Sequence, residues 1–118
     1  MNLGSADSLN FYPYYEHLLR EKRKTRTVRL GDQTSKYRKG TVVGLTCGWT
    51  ATHAVVLGNI RIVDVFCVPI RSLKDTDLEG ESPDCLSVAA VPYVLSAIYR
   101  KIVTDSDHVT VIRWDYVE

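Results

Sequence analysis

The sequence lacks any long uninterrupted apolar run, because its one extended apolar stretch is broken by Arg61 and Asp64. A helix that spans a membrane needs roughly 20 predominantly apolar residues, so none is predicted. Residues 1–10 contain neither a basic start nor an apolar run, and they therefore do not resemble a secretion signal. We expect a cytoplasmic protein that does not associate with membranes.

Cysteine is scarce, and the three residues, Cys47, Cys67 and Cys85, form no Cys-x-x-Cys pair. No histidine lies at a short ligand offset from any of them. An odd number of cysteines without a secretion signal is typical of reduced, buried thiols rather than of disulfides or a zinc site. We therefore expect neither a bound metal ion nor another cofactor.

The chain has 118 residues, of which 45% are hydrophobic and 25% are charged, and this composition is typical of one compact domain. It contains no internal repeats and no low-complexity tract. We assign residues 1–10 to a polar lead-in and residues 11–118 to a single domain.

The net charge of only +1 conceals an uneven distribution along the chain. Residues 20–39 contain nine basic side chains against Glu21 and Asp32, a charge of +7. Residues 64–84 contain six acids against Arg71 and Lys74, a charge of −4. A concentrated basic segment on a nearly neutral domain is typical of a polyanion site, and a solvated surface strand has the same composition.

Apolar periodicity predicts mostly strands. Residues 12–22 read as a short helix with Pro13 in its first turn, where the missing N–H costs nothing. Alternating or β-branched runs predict strands, and Gly58-Asn59 between two of them predicts a tight hairpin turn. The predicted strands are residues 25–30, 41–47, 53–57, 60–70 and 109–114.

A second helix is predicted to begin at Ser82-Pro83 and to be kinked or split by Pro92 before it continues over residues 94–102. The resulting pattern is an α+β, mostly β fold. We expect a small β-barrel of about five or six strands with flanking helices, since closing a small sheet removes its exposed edges.

The most informative segment is Lys22-Arg-Lys-Thr-Arg-Thr-Val-Arg29, which follows the first predicted helix. It resembles the Gly-x-Lys-x-x-Thr-x-Arg motif of the ASCH domain family. Lys24, Thr27 and Arg29 occupy the Lys, Thr and Arg positions of that motif, and Lys22 replaces its glycine.

A second element, Leu-Glu-Gly-Glu-Ser over residues 78–82, resembles the Glu-Gly element of the same family. Thr41 replaces the aspartate of the family's Gly-Asp turn. The resemblance extends from about Phe11 to the end of the chain.

The resemblance implies a PUA-like barrel whose motif and Glu-Gly loop line one cleft, with a role in RNA binding or, in some members, in hydrolysis. The family includes amidohydrolases that remove the acetyl group of N4-acetylcytidine with a Lys, a Thr and a Glu. These correspond to Lys24, Thr27 and Glu79 as catalytic residues, with Glu81 two positions away as the alternative carboxylate. We expect Lys24 to lie within salt-bridge reach of one of the two.

Elementary chemistry leaves two routes open for such a trio. A lysine with its ordinary pKa of about 10.4 is protonated at neutral pH and cannot accept the proton of Thr27. Burial or neighbouring arginines would lower the pKa of Lys24 and make it a base. Alternatively, Glu79 acts as the base while a cationic Lys24 stabilises the developing oxyanion.

The same side chains also have a non-catalytic interpretation, with Thr27 as a strand-forming residue and the cations as phosphate ligands. The ligand-binding candidates in that case include one aromatic side chain for base stacking, Trp49. The full set of candidates is Lys22, Lys24, Arg26, Arg29 and Trp49.

Two hypotheses follow, and a third is weaker. The chain binds RNA or a modified nucleoside or nucleotide, or it deacetylates N4-acetylcytidine or a related acylated nucleoside without a metal. A ribonuclease is less favoured, because no histidine or second carboxylate accompanies the basic motif.

Overall fold

A computed structural model describes residues 7–117 of the chain. Five strands, two short α-helices and several 3-10 turns make up the fold. The strands are β1 (Ser8–Phe11), β2 (Arg26–Leu30), β3 (Val42–Cys47), β4 (Val55–Pro69) and β5 (His108–Val117), and the helices are α1 (Glu16–Arg20) and α2 (Val91–Tyr99).

The five strands form one mixed sheet in the order β1-β3-β4-β5-β2. β1 pairs with β3 in parallel, and the other three pairings are antiparallel. The sheet curls into a half-barrel with α1 and α2 beside it, which confirms the predicted small, mostly β, α+β fold.

Both faces of β5 are covered, as its alternating sequence indicates. Val109 and Val111 belong to a core cluster that includes residues of α2, whereas Ile112 and Trp114 belong to a second cluster on the other face. Successive strand residues point to opposite faces, so β5 separates the two cores. Trp114 is completely buried.

The predicted hairpin at Gly58-Asn59 is wrong, because both residues lie inside the single long strand β4. The pairing register between β3 and β4 shifts here: Leu45 pairs with Gly58 and Thr46 with Val56, which leaves Leu57 as an extra residue. The φ of Gly58 is +151°, a value that favours glycine. The glycine thus marks a β-bulge, which sequence patterns distinguish poorly from a turn.

The second helix also differs from its prediction. Residues 83–90 form two separate 3-10 turns, and Pro92 lies in the first turn of α2 instead of kinking a longer helix. Proline is well tolerated there, since the first amides of a helix have no partner within it. The helix ends at Arg100, which adopts a left-handed conformation with φ of 54°.

The lead-in assigned to residues 1–10 contains most of a strand that the sequence pattern does not predict. Residues 8–10 belong to β1, whose four residues pair with β3. Residues 1–6 lie outside the described part of the chain. No helix in residues 7–117 is long and apolar enough to cross a membrane.

β1 and β2 are the two edges of the curled sheet, and they face each other across a gap that we call the seam. The guanidinium of Arg29 in β2 bridges the seam by donating a hydrogen bond of 2.7 Å to the carbonyl oxygen of Asn10 in β1. A side chain therefore joins the edges of the half-barrel where no backbone ladder does.

Candidate functional site

A cavity of about 280 Å³ opens in the seam, and we call it the inner pocket. Its walls come from the edge strands β1 and β2, from the loop before α2 and from α2 itself. The residues that line it include Phe11, Tyr15, Lys24, Thr27, Arg29, Glu81, Asp84, Cys85 and Tyr99.

A buried ion pair lies at the wall of this pocket. Lys24 Nζ contacts Glu81 Oε1 and donates a second hydrogen bond of 2.8 Å to the Ser82 hydroxyl. The side chains of Lys24 and Glu81 are only 2% and 5% exposed. The predicted contact between the basic segment and the acidic loop is confirmed, with Glu81 as the partner of Lys24.

Backbone amides hold the Glu81 carboxylate in place. The N–H of Val28 in β2 donates to Oε2 at 2.9 Å, and the N–H of Ser82 donates to Oε1 at 2.7 Å. Charge-assisted hydrogen bonds of this kind stabilise the ionised carboxylate. The carboxylate therefore has fixed partners on both oxygens and is oriented before any ligand arrives.

The loop that carries Glu81 is attached to the start of β2 through Gly80. The Gly80 carbonyl oxygen accepts hydrogen bonds from the N–H groups of Thr25, at 2.8 Å, and Arg26, at 3.1 Å. Gly80 has a φ of +90°, and a Cβ at this position would lie 2.2 Å from Thr25 Oγ1. Close approach and backbone conformation therefore both require glycine beside Glu81.

Burial lowers the pKa of Lys24 to about 7, and the positive charge of Arg29 contributes to the lowering. The carboxylate of Glu81 favours the cation and opposes this effect. A lysine with a pKa near 7 exchanges its proton at neutral pH, which an ordinary surface lysine does not.

Aromatic rings surround the two cations. Lys24 Nζ lies 5.4 Å from the centroid of the Phe11 ring and 5.2 Å from that of Tyr15. Arg29 Cζ lies 4.8 Å from the Phe11 centroid. Cation–π contacts of this length stabilise positive charge inside an apolar wall. Burial lowers the pKa of Arg29 as well.

Asp84 and Tyr15 form the polar rim of the pocket. The Tyr15 hydroxyl donates to Asp84 Oδ2 at 3.5 Å. Burial raises the pKa of Tyr15 to about 12, and Asp84 adds to the increase. Tyr15 is therefore a neutral hydrogen-bond donor at physiological pH. Burial likewise raises the pKa of the Cys85 thiol, to about 11, so this cysteine is not a thiolate.

Of the three residues predicted to be catalytic, two line this pocket and one does not. Lys24 and Thr27 both line it, and Thr27 is buried. Glu79 is exposed and is not among the lining residues, whereas Glu81 is. Of the two carboxylates that the sequence leaves open, Glu81 is the one beside Lys24 and Thr27.

The predicted ligand-binding residues also separate into groups. Lys24 and Arg29 line the inner pocket. Lys22 is exposed, and Arg26 donates a hydrogen bond of 3.0 Å to the Thr76 carbonyl oxygen. Neither Lys22 nor Arg26 is a lining residue of the pocket. Trp49 lies outside the inner pocket but lines the cavity next to it.

That neighbouring cavity, which we call the outer cleft, has a volume of about 680 Å³ and is walled mainly by aromatic side chains. It shares several lining residues with the inner pocket, and Tyr12, Tyr15 and Tyr99 belong to both. Of these aromatic residues, only Trp49 is among the ligand-binding candidates predicted from the sequence. Seven tyrosines in 118 residues, several of them around Pro13, were the available signal.

Within residues 7–117, no group of three or more His, Cys, Asp or Glu side chains is arranged to hold a metal ion. The polar residues that line the inner pocket are a lysine, an arginine, a threonine, an asparagine, a cysteine, two carboxylates and three tyrosines. This set can bind a polar ring by hydrogen bonds and can exchange protons.

No family model matches the sequence, and no curated protein matches it significantly. Solved structures do match its fold. An ASCH domain from Lactobacillus crispatus JV V101 gives a TM-score of 0.68 at 11% identity, covering 95% of this chain and 80% of that chain. A DUF984 protein from Enterococcus faecalis V583 gives 0.61 at 14% identity, covering 88% and 70%. The chain has the ASCH-domain fold, as its motifs imply.

Proposed function

We propose that the chain binds a nucleobase of single-stranded RNA, or a modified nucleoside, in the inner pocket. The observation that carries the proposal is the combination of Lys24, Arg29 and Glu81 in a small cavity with aromatic walls. A nucleobase has an apolar face for stacking and polar edges for hydrogen bonds, and proteins recognise unpaired bases through both. The motif resemblance to ASCH domains supports the same class of ligand.

The polar groups of the pocket suit the edge of a base. Glu81 and Asp84 are acceptors for an exocyclic amino group, and the Tyr15 oxygen, whose proton is donated to Asp84, is a further acceptor. Arg29 uses one guanidinium nitrogen on Asn10, and a guanidinium carries further donors. A site that hydrogen-bonds the edge of one base discriminates well against other bases, since a base with a different pattern of donors and acceptors would leave buried groups of the protein unpaired.

The test is the affinity of the protein for a labelled single-stranded RNA at low salt, measured by fluorescence anisotropy. Arg29→Met should weaken binding about tenfold or more, because a charge-assisted hydrogen bond contributes roughly 1.5–3 kcal/mol. Lys39→Met is the control, because it removes the same charge from an exposed residue of the same basic segment outside both cavities.

A pocket-filling variant, Ile98→Trp, should also abolish binding while it leaves the cations in place, since Ile98 lines the inner pocket. Circular dichroism would verify that each variant is folded. Equal losses in Arg29→Met and Lys39→Met would assign binding to the general surface charge. No binding by the natural sequence at low salt would refute the proposal.

A second function, deacetylation of N4-acetylcytidine, is favoured by one specific observation. A lysine whose pKa is about 7 shares the inner pocket with Thr27 and contacts a carboxylate. Such a lysine can accept the proton of a nucleophilic hydroxyl, or in its charged form can stabilise an oxyanion. We propose Glu81 as the carboxylate of this trio, in place of Glu79.

Acetate release from N4-acetylcytidine tests the second function. Thr27→Val and Glu81→Gln should abolish release, and Glu79→Gln should retain it. Loss of activity in Glu79→Gln with retention in Glu81→Gln would return the role to Glu79. No acetate release by the natural sequence would leave the chain as a binding protein only.

A further inference from the structure

We infer that the natural ligand is a single-stranded oligonucleotide, whose one base enters the inner pocket while the adjacent base stacks in the outer cleft. This inference rests on the proposed function and adds the substrate class. It follows from the outer cleft, which no part of the single-base proposal requires.

The first observation is a group of exposed rings that support each other. Trp49 is 62% exposed and Tyr14 is 65% exposed, although large aromatic side chains are ordinarily buried. The Trp49 ring lies 5.6 Å from the Tyr12 ring and 5.3 Å from the Tyr14 ring, measured between centroids. Rings held in place by other rings lose little freedom when a base stacks on them.

The second observation is continuity between the two cavities. Tyr12, Tyr15 and Tyr99 line both, so the two cavities adjoin and an oligonucleotide can extend from the inner pocket into the outer cleft. The cavity volumes, about 280 Å³ inside and about 680 Å³ outside, leave room for one base in the inner pocket and for the adjacent base in the outer cleft.

The third observation is a positive charge in the outer cleft. Arg100 lines the outer cleft and occupies the left-handed position that ends α2. A guanidinium there is placed to contact a backbone phosphate between or beyond the two bases. Cations in the inner pocket, aromatic rings along the path and Arg100 in the outer cleft are the combination that single-stranded nucleic acid binding uses.

The experiment compares ligands of two lengths. Affinities are measured for the four ribonucleoside 5′-monophosphates and for the four corresponding homotrinucleotides, at one low salt concentration. The best trinucleotide should bind at least about tenfold more tightly than its mononucleotide, because stacking of one more base contributes roughly 1–3 kcal/mol.

Variants then test whether the higher affinity for the trinucleotide comes from the outer cleft. Trp49→Leu should remove about tenfold of trinucleotide affinity and leave mononucleotide affinity unchanged, whereas Trp49→Phe, which keeps a ring, should restore most of the loss. Ile102→Ala is the control, because Ile102 is 87% exposed and lines neither cavity.

Trp49 fluorescence provides a second readout, because the other tryptophan, Trp114, is completely buried. The trinucleotide should quench emission more than the mononucleotide does, and Trp49→Phe should abolish the quenching. Equal affinities for both lengths, with binding still dependent on Arg29, would overturn the inference and leave the proposed function intact. Absence of binding for both lengths would refute both.

Discussion

The central residue pair of the protein is Lys24 with Glu81. Burying two charges is costly, and their attraction repays the cost only when the remaining hydrogen bonds are satisfied. Here Ser82 accepts from Lys24, and two backbone amides donate to Glu81. Such pairs contribute little net stability, so their presence in a pocket suggests a functional reason.

Removing one member of the pair should strongly destabilise the folded protein. Lys24→Met keeps most of the apolar volume but leaves the buried carboxylate of Glu81 without its cation. We expect the free energy of unfolding to fall by about 3–5 kcal/mol in urea titrations. Arg20→Ala is the control, because it breaks the exposed ion pair with Glu16 and should cost less than about 1 kcal/mol. Equal costs would show that Lys24 and Glu81 are not a buried pair.

The lowered pKa of Lys24 predicts a pH dependence. Between pH 7 and 10.5 the unfolded chain holds a proton on Lys24 that the folded chain has largely lost. Stability rises with pH wherever the unfolded state binds more protons. The natural sequence should therefore gain stability relative to Lys24→Met as the pH rises through this window. A difference that stays constant from pH 7 to 10 would contradict the lowered pKa.

Lys24, Thr27 and Arg29 of the inner pocket were named from the sequence, which left the carboxylate open between Glu79 and Glu81. Thr27 and Arg29 lie two residues apart in β2, and therefore on one face of it, and Lys24 lies just before the strand. A motif with fixed spacing predicts such residues well. Glu79 and Glu81 lie on the same short loop. A loop has no periodic pattern, so the sequence does not predict which of the two side chains points toward the pocket. The backbone path through Gly80 determines which of the two carboxylates points inward.

At the scale of elements, the segment from residue 74 to residue 85 is a loop of 3-10 turns attached to β2 at Gly80. Its position determines where Glu81 lies. The hydrogen bonds within the loop are short turns of a few residues each, so its attachment to Thr25 and Arg26 is what places Glu81 relative to β2.

Gly80→Ala should therefore destabilise the protein for two reasons, a positive φ and a clash with Thr25 Oγ1. Gly40→Ala is a matched control, because Gly40 has the same φ of +90° and no atom within 4 Å of an added Cβ. Gly40→Ala should cost about 1 kcal/mol from strain alone, and Gly80→Ala about 1–3 kcal/mol more.

Thr25→Ala provides the internal test of that clash. In the Thr25→Ala background, the cost of Gly80→Ala should approach that of Gly40→Ala, as measured by a double-mutant cycle in urea. If Gly80→Ala costs no more than Gly40→Ala in the natural sequence, the close approach is not a constraint on the loop.

Elements with a clear period were predicted correctly, whereas those defined by pairing partners were not. β2 and β5 alternate in sequence and were located to within a few residues. β1 has only four residues, too few for a periodic signal, and its place in the sheet depends on parallel pairing with β3. The Gly58 bulge depends likewise on a register shift in the neighbouring strand.

At the scale of the whole molecule, most of the basic side chains of residues 20–39 lie outside the two cavities. Lys24 and Arg29 line the inner pocket, and Arg100, from outside the basic segment, lines the outer cleft. Two cations of the basic segment are already paired with neighbouring acids, Arg20 with Glu16 and Arg23 with Glu21. Binding in the cleft should therefore depend on aromatic contacts more than on total charge.

Salt dependence measures this balance. Each phosphate contact on a single strand contributes about −0.7 to the slope of log affinity against log salt concentration. With Arg100 as the one cation of the cleft placed at a backbone phosphate, we expect a slope of about −0.7 for RNA binding. A slope near −5 would mean that the exposed basic segment, not the cleft, contacts the phosphates.

The position of the ligand itself is the most direct test of the account. The measurement is an NMR titration of ¹⁵N-labelled protein with the tightest-binding single-stranded RNA. The amides of Val28 and Ser82, which both donate to Glu81, should shift together with the indole N–H of Trp49. Shifts confined to the exposed residues Lys36, Arg38 and Lys39, with Val28 and Ser82 unchanged, would contradict a binding site in the seam of the half-barrel.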